Sequence, residues 1–212
     1  VGGDLKVVEK GACDRIFINT TGIGRIPAGR RICATNARAG DVIIINGTVG
    51  DHGASVMAAR QDYKLRTALT SDCASLGGLI ACALKASKRI SVMRDPTRGG
   101  VATTLNEIAA QSRVTIRVKE EKIPVKAAVR GLCELLGIEP LYMANEGKVL
   151  IFAHEQDAPK ILAAVRAHPL GKHAAVIGQV TAAKGPGVLL DTAIGSTRIL
   201  DMLTAEQLPR IC

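Results

Sequence analysis

Aromatic residues are almost missing from this chain of 212 residues, which has two tyrosines, two phenylalanines and no tryptophan. A reader of single-stranded nucleic acid needs rings on which bases can stack, and so few rings do not supply them. The lysines and arginines are scattered rather than run together, so a basic nucleic-acid arm is missing too. The formal net charge of +9 therefore suits an acidic ligand or partner, or is balanced by a segment elsewhere. Nucleic acid is excluded as the main partner.

Other absences narrow the class further. The six cysteines, at positions 13, 33, 73, 82, 133 and 212, form no C-x-x-C pair and no Cys/His cluster. A structural zinc site is therefore excluded, and a reduced, cytoplasmic protein fits best. No apolar run is long enough to cross a membrane, and no charged-then-apolar leader is visible. Methionine is missing from position 1, and Val1-Gly2-Gly3-Asp4-Leu5-Lys6 reads like the interior of a longer protein. An upstream domain is expected to precede it.

What is present suits one substantial core, with 47% hydrophobic and 22% charged residues. Residues 1–40 are glycine-rich and irregular, and read as the end of an upstream domain plus a linker. Asp41 to Asn46 is short, β-branched and bounded by Gly40 and Gly47, which predicts a buried strand. Helices are expected over about 53–61, 76–85, 101–110, 125–136 and 158–167. Further strands are expected over 114–118, 148–153, 174–181, 187–191 and 198–202. The mixture predicts one α/β (α+β) sandwich from 41 to 203. Residues 204–212 are expected to be a mobile tail.

Three short stretches interrupt these elements with residue types a core does not need. Gly47 to Gly53 leads from a strand into a helix, where open amides can hold an anion. There Asp51 either caps the helix or touches a ligand, and His52 is either surface polar or part of a site. Arg94 to Val101 leads into another helix. Arg98 suits a phosphate or carboxylate, Asp95 either holds magnesium or orients Arg98, and two glycines permit close backbone approach. The alternative is a capped turn with a buried Asp–Arg pair. Ala144 to Lys148 precedes a strand. Glu146 is a general-base candidate if half-buried, and otherwise an exposed turn carboxylate. Lys148 is expected to face solvent. Asp4-Leu5-Lys6 is a further phosphate-contact candidate, or a frayed terminus.

The last residue is Cys212, behind Pro209, Arg210 and Ile211. Eight or nine extended residues reach about 25–30 Å, which lets a terminal thiol visit two places as a carrier arm. The alternative is a terminal cysteine without a role.

"GDLKVVEKG", "GDHGA", "SDCA", "RDPTRGGV", "PVKAAVRGLCELLG", "ANEGK", "HPLGK", "AAVIGQV" and the terminal "PRIC" closely resemble the HypE family of NiFe-hydrogenase maturation proteins. "DPTRGG" and "NEGK" are shared with the wider aminoimidazole ribonucleotide synthetase-like ATP enzymes. The resemblance covers the chain, with Leu5 standing where the family often has threonine, and implies that the family's first half is missing. It implies the C-terminal domain of that fold and an ATP-dependent carbamoyl dehydratase. In such an enzyme the partner HypF carbamoylates the terminal cysteine. The S-carboxamide is then dehydrated to a thiocyanate, and cyanide passes to iron on a HypC–HypD complex. By the same resemblance Cys212 is the acceptor, Lys6 and Glu146 handle protons beside it, and Asp51, His52, Asp95 and Arg98 line the cleft. ATP and Mg2+ would sit mainly on the missing domain, which also forms a homodimer. The rival readings are another ATP enzyme of the superfamily, selenophosphate synthetase-like or thiamine-phosphate kinase-like, and a non-catalytic docking domain.

Overall fold

The computed structural model describes residues 23, 24, 26–59, 69–182, 185 and 187–203. Lys6, Cys13, the 204–212 tail and Cys212 lie outside the described residues. The chain divides into two compact units, Val1–Arg30 and Arg31–Cys212. Of the first, the Pro27–Arg30 turn is described, closed by the Arg30 amide donating to the Pro27 carbonyl at 3.2 Å.

In the second unit β-branched runs become strands and amphipathic runs become helices. The strands are β1 (Asp41–Ile45), β2 (Ile90–Arg94), β3 (Thr115–Lys119), β4 (Leu150–His154), β5 (Ala175–Thr181), β6 (Gly187–Asp191) and β7 (Thr197–Ile199). The helices are α1 (Asp51–Ala59), α2 (Gly77–Ala86), α3 (Gly100–Ser112), α4 (Ala127–Leu136) and α5 (Ala158–Arg166). The strands form one sheet in the order β2-β4-β1-β5-β3-β6-β7. Every neighbouring pair is antiparallel except β3 and β6. The expected α/β fold is therefore present.

Successive side chains of a strand point to opposite faces, and both faces of β1 and β4 are buried. Ile43, Ile45, Leu150 and Phe152 pack with Val101, Leu105 and Ile108 of α3. Ile44, Ile151 and Ala153 pack with Leu79 and Ala83 of α2 and Ile161 and Val165 of α5. A smaller cluster joins α1 to α4 through Ala54, Met57, Val129, Leu132, Cys133 and Met143. Two bulges disturb the alternation. One lies where β2 shifts against β4 between Ile90 and Val92, so those residues face opposite cores although they are two apart. The other inserts Ile177 into β5 opposite Ile43 and Ile44.

Register positions the functional loops. Ile45 at the end of β1 and Arg94 at the end of β2 both pair with Leu150 at the start of β4. The loop leaving β1, the loop leaving β2 and the turn entering β4 therefore emerge side by side at one edge of the sheet.

Candidate active site

Two buried asparagines tie these loops together. Asn46 ends the β1 run. Its Oδ1 accepts the Val149 amide at 2.8 Å, and its Nδ2 donates to the carbonyls of Gly147 and Leu170, each at 3.1 Å. Asn145 is the hub. Its Oδ1 accepts the Gly50 amide at 2.8 Å, and its Nδ2 donates to the carbonyls of Pro96 and Met143, both at 3.0 Å. One side chain thus joins the 47–53 loop, the 95–100 loop and the 143–148 turn. Leaving such buried partners unpaired costs about 1–3 kcal/mol each, so the three loops are held as a unit.

Glycine is required where backbone meets backbone. Gly99 and Gly100 have φ of 69° and 63°, in the left-handed region that disfavours other residues. A Cβ at Gly100 would overlap the Leu141 carbonyl and stand 2.6 Å from the Met143 carbonyl. The start of α3 is therefore pressed onto the 141–143 segment. Thr103, one turn along, has a buried hydroxyl with no partner among the described residues.

The site residues expected from the sequence fall at three places. Asp51 opens α1 and is buried. Its Oδ2 accepts the Thr48 hydroxyl at 2.5 Å and lies 3.1 Å from the Lys126 ammonium, while its Oδ1 has no partner among the described residues. His52 Nδ1 lies 2.8 Å from the Ser71 hydroxyl. Asp95 is exposed, with its carboxylate 3.8 Å from the Arg94 guanidinium, and Arg94 itself holds Glu107 at 2.8 Å. Arg98 is exposed in the same turn. Glu146 is half-buried, the environment in which a turn carboxylate suits proton transfer.

Lys148 departs from expectation. It does not face solvent but is 7% exposed, and its Nζ lies 2.6 Å from Asp72 Oδ2. The reason is a segment that arrives from far away in the sequence. Ser71 to Ala74 crosses over the turn, and Asp72 Oδ1 accepts the Glu146 amide at 3.1 Å. The contact is so close that a Cβ at Gly147 would overlap the Asp72 carbonyl. Ser71 thus touches His52, and Asp72 touches Glu146 and its neighbour Lys148. No spacing rule links Asp72 to a turn 74 positions later. Its one sequence signal is an acidic residue inside the "SDCA" stretch.

The cysteines in view are free thiols. Cys33 and Cys73 are exposed, Cys82 is half-buried and Cys133 is buried. Burial pushes the Cys133 thiol up to about 11, and a hydrogen bond from the Thr35 side chain lowers that of Cys33. Among the described residues no three His, Cys, Asp or Glu side chains group as metal ligands, and no helix is long and apolar enough to cross a membrane.

The AIR synthase related protein C-terminal domain matches residues 38–191. Carbamoyl dehydratase HypE of Rhodobacter capsulatus is 49% identical over all of this chain and 62% of its own length. A crystal structure of the hydrogenase maturation protein HypE matches at a TM-score of 0.88 and 47% identity, over 98% of this chain and 66% of that one. HypE crystallised with ATP matches at 0.79 and 44%, over 85% of this chain and 55% of that one. HypE in a HypE–HypF complex matches at 0.77 and 44%, over 81% and 55%. The chain spans less than two thirds of the length of these relatives. Its seven-stranded fold, its glycine-bearing loops at one sheet edge and these matches agree: the chain belongs to the AIR synthase related protein family and contains that family's C-terminal domain.

Proposed function

We propose that this chain is the C-terminal portion of an ATP-dependent carbamoyl dehydratase that makes a thiocyanate on its own Cys212, the source of the cyanide ligands of NiFe-hydrogenase iron. The observation that carries the reading is the Asn145–Lys148 turn. It holds Glu146 half-buried where three loops are tied together, in a chain half identical to a carbamoyl dehydratase along its whole length.

The chemistry needs what this arrangement offers. HypF places a carboxamide on the Cys212 sulfur. An amide oxygen is a poor leaving group, and ATP supplies the phosphoryl that lets it depart as phosphate. Two N–H protons must also leave the nitrogen, giving S–C≡N, ADP and phosphate. Glu146 accepts a proton at its carboxylate, and Lys6 is assigned the second proton-handling role on the family resemblance. Because the substrate is the chain's own end, its effective concentration is set by tail length rather than by diffusion. The end of a chain can also withdraw, first to be loaded and later to deliver cyanide to HypC–HypD.

Asp51, His52, Asp95 and Arg98 line the cleft on this reading. Among the described residues no three His, Cys, Asp or Glu side chains group as metal ligands, and Asp95 stands exposed beside Arg94. ATP and Mg2+ are assigned mainly to the part of the relatives outside this chain. A cytoplasmic homodimer is the expected assembly at full length, and the 212 residues alone are expected not to dehydrate.

The test is the intact mass of the full-length protein after incubation with HypF, carbamoyl phosphate and ATP, with mapping of the C-terminal peptide. A carbamoyl adduct on Cys212 that then loses the mass of one water supports the reading. An unmodified Cys212, beside a control HypE that is modified, would sink it.

A further inference from the structure

The Asp72–Lys148 pair raises a question that stability does not answer. Both side chains are almost fully buried, at 5% and 8% exposed. A buried ion pair repays its desolvation only with good geometry, and apolar replacements of similar size are often as stable or more so. The pair also sits off the main apolar clusters, on a segment with no regular structure. What it does have is two distinct grips on one turn. Asp72 Oδ1 takes the Glu146 amide at 3.1 Å, and Oδ2 takes the Lys148 ammonium at 2.6 Å. Lys148 in turn lies across the start of the 47–53 loop, since a Cβ at Gly47 would stand 3.2 Å from its Cε. Ser71, next in sequence, meets His52 at 2.8 Å and accepts the Cys73 amide at 3.1 Å. A short strap therefore clasps two loops that Asn145 also ties.

We propose that Asp72 is a positioning residue for Glu146: by accepting the Glu146 amide it fixes the turn that aims the carboxylate at the S-carboxamide nitrogen. The inference rests on the dehydratase reading and adds a residue to it. Asp72 does not touch the reacting atoms. It removes the turn's freedom, so Glu146 meets the proton without first having to find its place. An error of about 1 Å in such placement costs about a hundredfold in rate.

Single variants would confound the test, because Asp72→Ala leaves a buried ammonium unpaired. Two double variants avoid this. Asp72→Asn with Lys148→Met keeps an oxygen that accepts the Glu146 amide and removes both charges. Asp72→Ala with Lys148→Met removes the charges and the acceptor. Two readouts are taken on the full-length protein: exchange of the Glu146 amide with deuterium, and single-turnover dehydration of carbamoylated Cys212 at varied ATP. The Ala/Met protein is expected to exchange that amide at least about tenfold faster and to dehydrate about thirty- to a hundredfold slower, with the ATP dependence of the rate unchanged. The Asn/Met protein is expected to stay within about threefold of the wild type in both, a rescue that general loosening of the fold would not give. Equal dehydration rates in the two double variants would overturn the proposal. So would an unchanged Glu146 exchange rate in Ala/Met, whatever the turnover. A wild-type protein that accepts the carbamoyl group but never loses water would sink the reaction itself, and Asp72's aiming of Glu146 with it. The amide exchange still reads its grip on the turn.

Discussion

Two ion pairs of the same kind sit in opposite halves of the sheet and do different work. Asp72 and Lys148 lie at the β4 entrance, almost fully buried. Arg117 and Asp191 join β3 to β6, with two hydrogen bonds of 2.7 Å and side chains 44% and 25% exposed. The outer pair has the better geometry, yet water already solvates both charges, so it contributes little. The inner pair has no such recourse: remove either member and the other is stranded. Burial, more than bond length, separates an interaction that holds a site from one that decorates a surface. The halves differ in the same way. β2, β4 and β1 are packed on both faces and deliver the loops, whereas β7 is exposed throughout.

The comparison can be broken at several points. The largest effect is expected from Gly100→Ala, where the new methyl meets the Leu141 and Met143 carbonyls and φ is positive. A loss of about 3–5 kcal/mol in urea unfolding is expected, and a fall of less than 1 kcal/mol would show that the loops are not pressed together as described. Lys148→Met, which strands Asp72, is expected to cost about 3–5 kcal/mol by the same assay. Adding Asp72→Asn should recover much of that loss. Asn145→Ala leaves the Gly50 amide and two carbonyls unpaired and should cost about 2–4 kcal/mol. Arg117→Met should lower the urea midpoint at pH 7 only slightly, and a shift as large as that of Lys148→Met would erase the contrast between the two pairs.

Acid sharpens it further. Arg117 and the Thr197 hydroxyl hold the Asp191 carboxyl down to about 2. Arg89, Ser87 and Lys160 likewise hold Asp157 well below the usual carboxylate range. Depressed carboxyls contribute stability that is complete above their unfolded value of about 3.9 and is lost as pH falls toward the folded value. Urea midpoints should therefore drop between about pH 4 and pH 2, and less steeply in Arg117→Met. The smallest effect needs no mutation. A thiol reagent at pH 8 should label Cys33 and Cys73 in the native protein, while Cys133 stays unlabelled until denaturant is added.

Much of the fold was legible because its signals are local. The β-branched runs at 41–46 and 114–118, the short apolar run at 187–191 and the apolar stripe of 125–136 each name their element without help from the rest of the chain. β2 was missed because Ile90-Ser91-Val92 alternates over only three residues before Met93 and Arg94 break the pattern. The glycine-bearing loops announced themselves, and their convergence follows from a register that no single stretch encodes. Lys148 was misjudged for a related reason. A lysine beside two turn residues reads as exposed unless one knows that residues 71–74 will lie over it. Asp72 and Asn145 were unread because their roles rest on partners 49 to 95 positions away.

The strand order has a consequence for how the protein is made. β1 and β2 are not neighbours; each pairs with β4, which stands between them. A chain emerging from the ribosome has both flanking strands in hand long before the one that must join them. Until residues 150–154 leave the exit tunnel, β1 and the edge strand β2 have a gap between them, and the loops after Ile45 and Arg94 have no common anchor. The edge that carries the candidate site is thus completed by a late insertion rather than a gradual extension. An interrupted or slowed nascent chain would carry every glycine of the first two loops and still have no cleft.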